Sequence, residues 1–472
     1  FIGTALTGDI KFVSSINQLG KSAFSECKQI TSVNFSNSSL TTVSAETFAN
    51  CEKLQKVDFS GCSSLNTLSK DAFQRCQSLK EIVIDNGFYK SQDGVLYTAD
   101  MATLVFYPVG KENASFAIPL IVVTIQSGAF DFYLGDFFEY NGHKCPLKEL
   151  SIPASVTNIQ PNAFSYYSDK TIRLLAEQPI GLSEDIGLTG ALVYVPKGSL
   201  SAYKEAAIWK DYTLLEEGAE GITIHLESAG SLKAKLAEQG IETNTIQELT
   251  ITGPMNGSDF EVIQQMKVLT KCNLKGASME EKRLPDNSFH GMYYLQEVEL
   301  PDDITTIGAG AFGFDYDAKG NSPSIKKVNL PKSLERIESS AFDNCRYLEE
   351  MPLDALPNLK KIGSYAFHNS SAIPTNLVLP NSIEYIEEGA FSKTNVTSID
   401  FANTLLSSIG NKAFQGCPIT GSLVFPATLN DIDGGAFDAA TVSSIKLKST
   451  EMVRLTDNTV FESVDKSTCK VY

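Results

Sequence analysis

Residues 325–342 read Ile325-Lys-Lys-Val328-Asn-Leu330-Pro331-Lys-Ser-Leu334-Glu-Arg-Ile337-Glu-Ser-Ser-Ala341-Phe342. The same text returns as Leu377-Val-Leu379-Pro380-Asn-Ser-Ile383-Glu-Tyr-Ile386-Glu-Glu-Gly-Ala390-Phe391. It returns again as Leu423-Val-Phe425-Pro426-Ala-Thr-Leu429-Asn-Asp-Ile432-Asp-Gly-Gly-Ala436-Phe437. Far upstream, Leu147-Lys-Glu-Leu150-Ser-Ile152-Pro153 opens the same unit. The alternating end of L-x-x-L-x-L suits a short strand with one buried face. The Pro behind it cannot donate to a ladder and ends the strand. The later L-x-x-I and Ala-Phe positions return apolar side chains to the interior from the opposite side. One such unit cannot bury its apolar face alone, whereas stacked units can, each touching only its neighbours.

The repeat Phe marks the period. Phe24, Phe48, Phe73, Phe130 and Phe164 form one series, and Phe289, Phe312, Phe342, Phe367, Phe391, Phe414 and Phe437 a second. From Phe342 onward the gaps are 25, 24, 23 and 23 residues, and the first two gaps are 24 and 25. That period falls within the roughly 20–29 residues of leucine-rich repeats. The expected fold is α/β: a right-handed leucine-rich-repeat solenoid in two blocks, with short parallel strands on its concave face and the Phe side chains in a buried column.

The stretch 176–285 lacks the Ala-Phe unit and reads as caps around a junction. Strand-like Leu192–Val195 and a short helical pattern through Trp209 close the first block. Glu216-Glu217-Gly218-Ala219-Glu220-Gly221 reads as a linker. Ser231–Gln239 reads as a helix ended by Gly240, Ile246–Ile251 as a strand, and Ser258-Asp-Phe-Glu261 as a capping box opening a helix through Leu269. The expected domains are residues 1–216, and residues 217–472 with a helical cap over about 217–285 and repeats over about 286–472. Thr468-Cys469-Lys470-Val471-Tyr472 aligns with Val193-Tyr194, so the second block stops where its closing strand should begin. The natural chain then continues, or this end is frayed.

Cys27, Cys51, Cys76, Cys345 and Cys417 each follow a repeat Phe by three residues. That position suits a buried thiol acting as a small hydrophobe, and the alternative is a disulfide between stacked repeats. Cys62, Cys145, Cys272 and Cys469 lie off this register and receive no role.

Strand-Pro, L-x-x-I, then Ala-Phe-x-x-Cys resembles the BspA-like (Treponema-type) leucine-rich-repeat family over most of the chain. Asp93-Gly94-Val95-Leu96-Tyr97 followed by Thr103-Leu104-Val105-Phe106-Tyr107-Pro108 looks like the hairpin its members insert between repeats. Val195-Pro196-Lys197-Gly198-Ser199-Leu200-Ser201-Ala202-Tyr203 looks like its closing cap. The resemblance implies a secreted or cell-surface bacterial protein with an adhesion-like role.

Composition bounds the alternatives. With 472 residues, a net charge of −17 and a pI near 4.8, the chain is ill suited to phosphate backbones and anionic lipid. No run of 18 apolar residues appears, and Phe1-Ile2-Gly3-Thr4 shows neither a signal segment nor an initiator Met, as in a processed or trimmed piece. Gly308-Ala-Gly310-Ala-Phe-Gly313 matches G-x-G-x-x-G but sits in a repeat turn rather than a strand–helix unit. His143, His225, His290 and His368 are not spaced as ligands. Asp315-Tyr-Asp317-Ala-Lys-Gly320-Asn321 lacks the third acid and the distal Glu of a calcium loop. Asp131–Tyr140 is aromatic and reads either as a recognition patch or as a satellite core. No catalytic residue, cofactor or metal is expected.

The expected binding face is the outward side of the strands: Glu149, Ser151, Glu297, Glu299, Lys327, Asn329, Ser398, Asp400, Ser444 and Lys446. The expected function is an extracellular or cell-surface binding protein, a monomer whose macromolecular partner is a protein or a glycan, not nucleic acid. Two alternatives stand beside it. One is a spacer arm presenting another domain. The other is a carbohydrate- or peptide-active hydrolase with its site at the block junction, near 210–290.

Overall fold

The computed structural model describes residues 1–12, 16–36, 38–132, 145–167, 170–188, 190–313, 325–348, 353–370, 373–464 and 469–471. They form two compact units, Phe1–Gly218 and Ala219–Tyr472. Each is a solenoid of short, mostly parallel strands with few helices.

Most of the described repeats contribute to two ladders. The first is the strand of the L-x-x-L-x-L segment, such as Glu297–Glu299 paired in parallel with Lys327–Asn329. The second was not foreseen from the sequence. It consists of two-residue strands at the end of L-x-x-I, and in the second unit it runs Arg283–Leu284, Thr306–Ile307, Arg336–Ile337, Lys361–Ile362, Tyr385–Ile386, Ser408–Ile409, Asp431–Ile432 and Arg454–Leu455. Ile307, Ile337, Ile362, Ile386, Ile409 and Ile432 point inward from it and are buried. A strand this short carries no visible alternation. In the first unit the hairpin Tyr89–Gln92/Val95–Thr98 joins Thr103–Phe106 in antiparallel fashion and occupies this second ladder.

The Ala-Phe turn has its own rule. The residues two before and two after the Phe are left-handed: Ser22 and Glu26 around Phe24, Ser340 and Asn344 around Phe342, Lys412 and Gly416 around Phe414. The turn then aims each Phe N–H at the next repeat, with Phe342, Phe367, Phe391 and Phe414 each donating to the following repeat's Ala carbonyl at 2.8 Å. The Phe rings stack face to face at 5.1–5.4 Å from Phe289 through Phe437, and Phe461 adds a further ring at 5.3 Å. Each unit also has a shorter stack at the strand ends, Phe35–Phe59 at 5.4 Å in the first and Phe401–Phe425 at 5.3 Å in the second.

The thiols complete the turn. Cys51, Cys76, Cys345 and Cys417 donate to the carbonyl of the preceding repeat's Phe at 3.0–3.3 Å, and Ser370 does the same at 2.5 Å. All nine cysteines are free thiols, so the disulfide alternative falls. Cys62 is not without a role: it follows Phe59 by three residues and donates to the Phe35 carbonyl at 3.3 Å, the same device on the shorter column.

The caps differ in detail from expectation. Trp209 is buried, with its indole N–H on the Ile180 carbonyl at 2.7 Å. In the second unit, Ile222–His225, Glu248–Met255 and Lys271–Met279 extend the first ladder beside the helices Leu232–Glu238 and Gly257–Ile263. The capping box is Asn256 with Asp259, not Ser258 with Glu261. The fully buried Asp259 carboxylate also accepts the amides of Gly230 and Leu232, which couples the two helix starts and fixes which residue caps.

Candidate binding surface

Strand alternation sends Val298 and Val328 into the core and leaves their neighbours outside. Parallel pairing in register aligns those neighbours into two files. One runs Glu248, Lys271, Glu297, Lys327, and the other Thr250, Asn273, Glu299, Asn329. Rungs stand about 4.8 Å apart, so the first file alternates in charge at every rung. Lys271 pairs with Glu248 at 3.4 Å. Glu297, Glu299 and Lys327 are exposed. Asn329 differs from its neighbours, since its amide bonds both the N–H and the carbonyl of Leu300 and so extends the ladder.

The other expected residues are outward too, but dispersed. Ser398 donates to Asn376 at 2.7 Å, the Asp400 carboxylate accepts the Ala402 N–H at 2.8 Å within a turn, and Ser444 bonds Ser422 at 2.6 Å. Lys446 is exposed. Glu149 and Ser151 lie in the first unit and cannot be counted with the rest as one site.

There several outward charges are paired among themselves. Arg173 bonds Glu149 at 2.7 Å, pairs with Glu217, and sits 4.8 Å from the Tyr194 ring centre. Burial works to lower the guanidinium pKa, but both carboxylate hydrogen bonds oppose it and the net direction is upward. Lys56 pairs with Glu81 at 2.9 Å. Hydrogen bonds from Ser32 and Thr31 hold the Asp9 carboxyl below its ordinary value.

Sequence reading missed Glu248, Thr250 and Arg173, whose strands no Ala-Phe turn follows, and Lys271 and Asn273, whose strand leads to the Ser288-Phe289 turn. The alternation in Glu248-Leu-Thr-Ile251 and Lys271-Cys-Asn-Leu274 was the signal available.

The other motifs resolve as follows. Gly310 is left-handed, and a Cβ on Gly308 or Gly313 would collide with the backbone of the adjacent repeat, so packing accounts for the glycine triplet. His225 meets Thr252 at 2.9 Å, and His368 meets Asp343, in the same position of the preceding repeat, at 2.8 Å. Among the described residues no group of three His, Cys, Asp or Glu could hold a metal. Phe132 packs against Tyr107, Phe130 and Tyr167, while 133–144, with His143, and the 315–321 loop lie outside the described residues. A cleft of about 420 Å³ lies among Met255, Asn256, Met279, Glu280, Arg283 and Asp286. Its Arg283 is already engaged by Asp286.

A family model described as the BspA type leucine-rich repeat region matches residues 1–130, 136–177, 262–374, 315–443 and 360–468. No match to a curated protein sequence was found. Among solved structures, the chain is similar to a leucine-rich repeat protein from Bacteroides ovatus, at 14% identity over 89% of this chain and 88% of that one, TM-score 0.29. It is also similar to one from Eubacterium ventriosum (18% identity, 78% and 83% covered, TM-score 0.25). A leucine rich cell surface protein from Faecalibacterium prausnitzii is similar at 16% identity, with 69% and 70% covered and a TM-score of 0.23.

Proposed function

The chain belongs to the BspA-type leucine-rich-repeat family, and from that membership we propose that it is a non-catalytic, cell-surface or secreted protein that binds a macromolecular partner through the outward face of the first ladder in its second unit. The observation that carries this reading is the pair of in-register files, Glu248–Lys271–Glu297–Lys327 and Thr250–Asn273–Glu299–Asn329. They present exposed charges of both signs at fixed spacing on a rigid sheet, which favours a partner with complementary polar groups. No described helix is long and apolar enough to cross a membrane.

The test is a binding screen against immobilised extracellular-matrix proteins and a glycan array, with Glu297→Ala/Glu299→Ala/Lys327→Ala alongside. A saturable ligand lost in the triple variant supports the reading and names the ligand class. Binding unchanged in the variant removes this face from consideration. Spacing between other modules is the second reading. It is favoured by the first unit, whose outward charges Arg173, Glu149, Glu217, Lys56 and Glu81 are paired among themselves.

A further inference from the structure

The turn that leads from first ladder to second carries a polar side chain in four repeats of the second unit, where Asp302-Asp303, Lys332-Ser333, Asn381-Ser382 and Ala427-Thr428 follow Pro301, Pro331, Pro380 and Pro426; a fifth repeat has a single exposed aliphatic residue there, Leu405. Its hydroxyl ties the repeats together. Ser333 donates to the Ile304 carbonyl at 2.6 Å, Ser382 to Leu359 at 2.7 Å and Thr428 to Leu406 at 2.8 Å. In the first unit the same turn reads Pro119-Leu120-Ile121-Val122-Val123. Leu120 is 79% exposed, Ile121 56% and Val123 42%. No hydroxyl stands at Ile121, and in the next repeat Ser155 Oγ is buried without a hydrogen-bond partner. The strut made by Ser333, Ser382 and Thr428 is therefore missing on both sides of this turn.

The neighbouring repeats widen the apolar area. Ser115–Ala117, Glu149–Ile152 and Thr171–Leu174 pair in register. Pro119, Pro153 and Leu175 then follow side by side, with Ala154 beside Leu120. Leu175 is 52% exposed. The turns 119–124 and 153–158 carry no charged side chain, and the third turn carries one, the exposed Glu177 beside Leu175.

We propose that Leu120, Ile121, Val123 and Leu175 form a docking surface for an exposed aliphatic segment of another protein, separate from the charged ladder face. Area and charge choose this occupant. Four part-exposed aliphatic side chains amount to a few hundred Å², below the roughly 800 Å² per partner of a stable interface, so they fit a short inserted segment rather than a second copy of this chain. Stable seating on a membrane surface calls for basic residues beside the apolar ones. These three turns hold no basic residue, and their one charged side chain is the acidic Glu177, on a chain of net charge −17.

The test uses Leu120→Asn/Ile121→Ser, the pair found at Asn381-Ser382, which suits the repeat. A second variant is Val123→Thr, the residue at Thr157 in the next repeat. A phage-displayed random-peptide library is panned on the full chain. The expected result is aliphatic peptides without basic flanks, binding at least tenfold more weakly to both variants while melting temperatures stay unchanged. Three results would overturn the proposal: no peptides that distinguish wild type from variants, phosphatidylcholine-vesicle binding lost in the variants, or a dimer in sedimentation velocity lost in the variants. The second means a membrane and the third a second copy. Variants that melt markedly earlier would make the turn structural and also refute it.

Discussion

Replacing Phe367 by Ala removes one ring from the middle of the second unit's column. Phe367 is fully buried and stacks on Phe342 at 5.3 Å with planes 4° apart, and on Phe391 at 5.4 Å with planes 14° apart. Buried Phe→Ala changes cost about 3–5 kcal/mol, with the upper end where surroundings cannot collapse. Here they cannot. The neighbouring rings are fixed by their own turns, whose backbone bonds Phe342 N–H to Ala366 and Phe367 N–H to Ala390 both measure 2.8 Å. Each stacked pair adds about 0.5–1.5 kcal/mol beyond area burial. The expected loss is therefore about 4–5 kcal/mol. Urea unfolding followed by far-ultraviolet circular dichroism reads it. Trp209, the one Trp, reports the first unit by fluorescence and lets the two transitions be assigned. A loss below about 1 kcal/mol, far under the range for buried Phe truncation, would mean that the column is not what holds successive repeats together.

Other consequences are as direct. Ellman's reagent should find Cys469 reactive and the eight buried thiols slow in the folded chain, and several fast thiols would contradict the burial. Burial raises the Cys417 thiol to about 11 and the Cys51 thiol to about 12 from an ordinary 9.0. Folded thiols ionise less readily than unfolded ones, so this contribution is complete below pH 9 and is lost as pH rises toward 11–12; flat stability across that window would refute it. At Lys412, φ is +56°, and Lys412→Gly should stabilise by about 0.5–1 kcal/mol. Gly389→Ala should destabilise, because its Cβ would strike the Tyr365 ring at a left-handed position, and unchanged melting would show that the turn adapts. Asp259→Ala leaves the amides of Gly230, Leu232 and Asn256 without their acceptor and should cost about 3 kcal/mol. Amide hydrogen exchange should rise at those residues, and unaltered protection would count against the strut.

By itself the sequence determined the repeat, its period and its buried face. Val298, Val328 and the Phe series repeat at fixed spacing because each unit must bury the same stripe against the next. The outward placement of Glu297, Glu299 and Lys327 followed from strand alternation. Features made by contacts between repeats were not legible. A two-residue strand such as Arg336–Ile337 exists only because Thr306–Ile307 and Lys361–Ile362 flank it, and two residues hold no period of their own. The file Glu248–Lys271–Glu297–Lys327 depends on a register between strands of unlike sequence, two of them in a cap without the Ala-Phe unit. Cys62 seemed to stand outside the pattern because its Phe belongs to the second ring column, which only packing reveals. The apolar turn at Leu120-Ile121 was plain as text, yet its exposure was not. Aliphatic residues in a repeat default to the core, and only the tertiary structure decides which of them the neighbouring repeats leave uncovered.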